Sequence, residues 1–119
     1  MNYKRKMEAL YQRKVVGTLE RKVVNSALYL GGQLKLLTPV LTGAARSNWH
    51  MDVGAPSVQI VEAGGDIEPN AQGYTIDKTI FWSNNLPYIK RLDEGYSQQA
   101  PAGMTDDAIA NTKARAKKL

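Results

Sequence analysis

Cysteine is absent from this 119-residue chain, and histidine occurs once. Disulfides and thiolate metal sites are thereby excluded, a usage that fits a reducing compartment. A zinc site wants three or four Cys or His ligands, which His50 alone cannot supply. No apolar run approaches the roughly 20 residues that a membrane span needs. The N-terminus is polar and basic, without the apolar stretch of a signal peptide. Glycines pair only in isolation, at Gly31-Gly32 and Gly64-Gly65, so neither a phosphate loop nor a dinucleotide fingerprint is present. There is no internal repeat and no low-complexity tract. No cofactor or metal is expected.

What remains has the composition of an ordinary globular domain: 43% apolar, 23% charged and 8% aromatic. The length fits one domain over residues 1–119, with room for a core but little for a deep active site as well. The net charge of +5 is unevenly spread. Residues 1–22 hold Lys4, Arg5, Lys6, Arg13, Lys14, Arg21 and Lys22 against Glu8 and Glu20. Residues 112–119 hold Lys113, Arg115, Lys117 and Lys118 and no acid. The stretch between carries five basic and nine acidic residues. An acidic body with two basic ends can bind nucleic acid, for which Lys4, Arg5, Lys6, Arg13, Lys113, Arg115, Lys117 and Lys118 are the candidates. The same ends can meet the acidic body of a neighbouring copy and steer self-assembly. They can also be solvated helix ends and nothing more.

Residues 5 to 37 read as one long helix. Val16, Leu19, Val23, Ala27, Leu30, Leu34 and Leu37 recur at spacings of three and four, a single stripe of a 3.6-residue period. Thr38-Pro39 stops it, because the residue before proline avoids the helical region. Such a helix spans about 50 Å, whereas a globule of this size is about 30–35 Å across. It therefore either bends at Gly17 or Gly31-Gly32, or overhangs its own domain and packs on another subunit. The overhang is the preferred reading.

Thr38 to Ala45 has turn chemistry. Asn48 to Val53 alternates strictly: Trp49, Met51 and Val53 take one face of a strand, and Asn48, His50 and Asp52 a polar face. Ser57 to Ala63 is a second expected strand, rich in Val and Ile. Tyr74 to Ser83 is a third, with Ile76, Ile80 and Trp82 on one face. Asn84-Asn85 is expected to cap a short helix over Pro87 to Glu94, closed by Gly95. Thr105 is expected to cap a last helix running to about Lys118, with Asp106 and Asp107 at its positive end. The fold class is then α+β: a long N-terminal helix (1–37), a loop and an antiparallel sheet of three to four strands (38–83), and a short helix with a C-terminal helix (84–119).

Hydrolytic chemistry needs a nucleophile, a base and an oxyanion site. Ser47, His50 and Asp52 lie close in sequence, yet in a strand His50 and Asp52 share one face while Ser47 points to the other. Asp93-Glu94 and Asp106-Asp107 read as helix-end charges. Trp49 and Trp82 read as core. No enzymatic activity is expected.

Two segments carry a resemblance. Thr38-Pro39-Val40-Leu41-Thr42-Gly43-Ala44-Ala45-Arg46-Ser47-Asn48-Trp49 resembles a signature of small tail-completion and neck proteins of tailed bacteriophages, the HK97 gp10-like and lambda minor tail protein Z-like families. Its marked positions here are Thr38, Pro39, Thr42, Gly43, Arg46 and Trp49, and Leu41 stands where an acid is usual. Residues Ser83 to Met104, with Asn84, Pro87, Tyr88, Leu92, Gly95, Ser97, Gln99, Pro101 and Gly103, are similar to a second segment of the same families. The two cover about 34 of the 119 residues, in the families' order. The resemblance implies a virion protein without catalysis. It forms a ring, often of six copies, at the upper end of the tail, and joins connector or tail-tube proteins around the passing genome DNA. It would be found in the virion and, during assembly, in the host cytoplasm, with no membrane association. A ring needs a patch that fits a different patch on the next copy. Pro87, Tyr88, Arg91, Leu92, Gly95, Tyr96, Ser97, Gln99, Pro101 and Gly103 are the candidate interface residues, since aromatic and Arg side chains are enriched as anchors. Tyr88 and Leu92, at i and i+4, can equally pack on the sheet.

Overall fold

The computed structural model describes residues 2–38, 43–62, 68–94 and 103–118. The order is α1 (Tyr3–Leu10), a π-helical stretch (Tyr11–Val16), α2 (Gly17–Leu37), α3 (Ala44–Ser47), β1 (His50–Val53), β2 (Ile80–Ser83), α4 (Ile89–Asp93) and α5 (Met104–Ala116).

The first three pieces form one unbroken helix that starts two residues earlier than expected. Asn2 sets the start: its side-chain oxygen accepts the Lys4 amide at 2.9 Å, the usual role of an N-cap Asn. The register changes once, where the Gly17 N–H reaches the Gln12 carbonyl five residues back. The Lys14 carbonyl accepts the Thr18 hydroxyl at 2.6 Å. At the far end Thr38 is extended, as a residue before proline should be, and its N–H closes on Leu34 at 3.1 Å. The helix has no break at Gly31-Gly32. Gly31 is instead the point of closest approach to the sheet, where a Cβ would overlap the Trp82 ring. The molecule measures 64 × 29 × 18 Å, with a radius of gyration of 17.5 Å. About 13.5 Å is expected of a compact domain this long. The difference is the overhang: Tyr3–Val16 contain no buried residue.

Among the described residues the sheet has two strands, not three or four. β1 and β2 are antiparallel, with His50 opposite Ser83 and Met51 opposite Trp82. Trp49 and Met51 are buried as expected. The polar face is not solvated, however: Asn48 is 0% and His50 2% exposed. Ser57–Val61, the expected second strand, is tied to its surroundings by side chains instead of a ladder. Asn48 accepts the Val61 N–H at 2.7 Å and donates to the Val61 carbonyl at 2.9 Å. Asn85 donates to the carbonyls of Ser57 and Gln59 at 2.8 and 3.0 Å. Ala63 lies outside the described residues. The expected third strand survives only as β2; Tyr74 to Lys78 form turns closed by Tyr74 N–H to Ala71 and Lys78 N–H to Thr75. Asp and Asn side chains compete with ladders in this way because they offer the backbone a local partner.

Leu34, Trp49, Met104 and Ala108 form the core, with Leu30, Leu37, Trp82, Ile89 and Leu92 against it. α5 runs back along α2: Met104 and Ala108 meet Leu34, Asn111 donates to Gln33 at 2.9 Å, and the Arg115 guanidinium lies 4.6 Å from the Tyr29 ring centre. The α5 cap differs from expectation. Gly103 is the N-cap, at φ +87, where a left-handed conformation favours glycine. The Asp93 carboxylate accepts the Thr105 N–H at 2.9 Å and its hydroxyl at 2.8 Å. The helix start is thus satisfied by α4, and Thr105 is a donor, not the cap.

Candidate subunit interface

The two motif segments take different places. In the first, Thr38 is 1% exposed. Its hydroxyl donates to the Leu34 carbonyl and accepts the Trp49 indole N–H at 2.9 Å. Arg46 donates to the Thr38 carbonyl at 3.3 Å. Gly43, at φ +78, opens α3. This segment is therefore a closure between the end of the long helix and β1, centred on the buried Thr38 hydroxyl, which both donates and accepts. Pro39 and Thr42 lie outside the described residues.

In the second segment, Asn84 and Asn85 do not cap α4. Asn84 donates to the Ala45 carbonyl at 2.8 Å, and Asn85 holds the 57–59 stretch. α4 spans only Ile89–Asp93, with Pro87 and Tyr88 in the turn before it. Leu92 packs against the core, while Pro87, Tyr88 and Arg91 are exposed. That pair thus divides: Leu92 serves the fold and Tyr88, 39% exposed, faces outward. Gly95, Tyr96, Ser97, Gln99 and Pro101 lie outside the described residues. Gly103 acts at the α5 cap.

The basic candidates also divide. Lys4, Arg5, Lys6, Arg13 and Lys14 are exposed on the overhanging helix. Because α5 is antiparallel to α2, Lys113, Arg115, Lys117 and Lys118 run toward that same half of the molecule, although Arg115 is occupied by Tyr29. Asp93, Glu94, Asp106 and Asp107 gather at the opposite end, where α4 meets α5. The overhang is basic, while the opposite end mixes these acids with the exposed Lys90 and Arg91 of α4.

Sequence reasoning passed over the uncovered apolar row of the overhang. Tyr3, Met7, Tyr11, Val15, Leu19 and Val23 follow one another at intervals of four, and all are at least 37% exposed. Strict four-residue spacing drifts about 40° per step round an α-helix. The π-helical stretch, with more residues per turn, counters that drift between Tyr11 and Val15. The stripe counted from Val16 took in Leu19 and Val23, which are exposed, but began too late to include Tyr3, Met7, Tyr11 and Val15.

His50 Nε2 and Asp52 Oδ2 are buried without a hydrogen-bond partner, as is Arg46 Nε. Among the described residues no group of three or more His, Asp or Glu side chains could hold a metal ion. No described helix is long and apolar enough to cross a membrane. The Thr75 hydroxyl, its own backbone amide and Lys78 hold the Asp77 carboxyl below the ordinary carboxylate value. Comparison with protein-family models, curated proteins and solved structures finds no match for this chain.

Proposed function

We propose that this chain is a structural virion subunit that closes into a ring at the neck or head-proximal end of a phage tail, completing the tail or joining it to the DNA-filled head. The observation that carries the reading is the shape. A 64 Å molecule with a helix overrunning its own core, and apolar side chains left open along it, is built for neighbours. The two motif segments, Thr38 to Trp49 and Ser83 to Met104, support the phage assignment by resemblance. The segment from Asn84 to Met104, with exposed Pro87, Tyr88 and Arg91, is the proposed lateral contact, six copies the proposed ring, and connector or tail-tube proteins the proposed neighbours. No reactive group is assigned a role.

Electron-microscope class averages of the purified full chain test this. Rings of defined symmetry are expected; a chain that stays monomeric at high concentration and is missing from intact particles refutes the reading. A second reading is favoured by the exposure of Lys4, Arg5, Lys6, Arg13 and Lys14. Here the basic ends bind nucleic acid without sequence preference. It predicts a shift of labelled DNA that fades steeply with salt, as counterion release requires.

A further inference from the structure

We draw no further inference here: the strongest candidate, the exposed apolar row of the overhanging helix at Tyr3, Met7, Tyr11, Val15, Leu19 and Val23, is an unpartnered face, and nothing in the structure shows what covers it.

Discussion

Two adjacent glycines in the same helix should respond to alanine with opposite signs. Gly31 is buried, and a methyl there would overlap the Trp82 ring, whose Cε2 would lie at 2.9 Å. Gly32 is exposed, with nothing within 4 Å of its would-be Cβ. Intrinsic helix propensity favours alanine at both by about 1 kcal/mol. At Gly32 that is the whole effect, so Gly32→Ala should stabilise by about 1 kcal/mol. At Gly31 the ring must move. Overpacking costs about 1–3 kcal/mol. Moving the ring also threatens the part-buried 2.8 Å bond from the Trp82 indole to the Ala27 carbonyl, and a donor left unmade costs up to about 1–3 kcal/mol. Against the propensity gain, Gly31→Ala should destabilise by about 1–5 kcal/mol, a fall in Tm of about 5–20 °C for a domain of this size. Urea and thermal unfolding followed by circular dichroism would read both variants. The cost at Gly31 should shrink in a Trp82→Leu background, since neighbours that share a contact are not additive. Equal shifts of the same sign at both glycines would refute the packing of α2 on β2.

Thr38→Val keeps the shape but leaves the buried Trp49 indole without its acceptor, so chemical denaturation should report a loss of about 1–3 kcal/mol. Asn48→Ala removes three bonds, to Ala44 and twice to Val61; a stability loss of about 3 kcal/mol and fast exchange of the Val61 amide are expected. Asp77 should titrate below an ordinary aspartate by NMR, and Thr75→Val should return it toward that value. Because its folded value is depressed, its small contribution to the Thr75–Lys78 turn is present above the ordinary carboxylate pKa. It is lost as pH falls through the folded one.

The long helix was legible because its evidence is local: a stripe at spacings of three and four, and a proline to end it. Arithmetic left a bend or an overhang, as about 50 Å of helix does not fit a compact domain of this length, and the preferred overhang is what the 64 Å molecule has. Its capping by Asn2 and its single π-helical turn were not legible, since neither departs from what a uniform helix tolerates. Trp49 and Met51 were readable as core from alternation alone. His50 was not, because alternation says which residues share a face and nothing about whether a second layer covers that face. Ser83, on the same face, donates to the Ser57 carbonyl at 3.4 Å, and the 57–61 segment supplies that layer. Of the candidate interface residues, Tyr88 and Arg91 are exposed, which leaves their role as anchors a proposal, whereas Asn84, Asn85 and Asp93 looked like helix-end residues and serve as long-range ties.

The missing strand has a physical cause. Asn48 and Asn85 satisfy the backbone of Ser57, Gln59 and Val61, which spares those groups a ladder and leaves the intervening residues turned outward. Val58 is 87% and Ile60 56% exposed, an unusual position for two β-branched residues in a segment of such high strand propensity. A chain that needed only to fold alone would gain by pairing this edge or by placing charge on it, as edge strands commonly do. The pattern of Ser57 to Ala63 reads as a second strand, and asparagine side chains hold its described part, Ser57–Val61, where a ladder was expected.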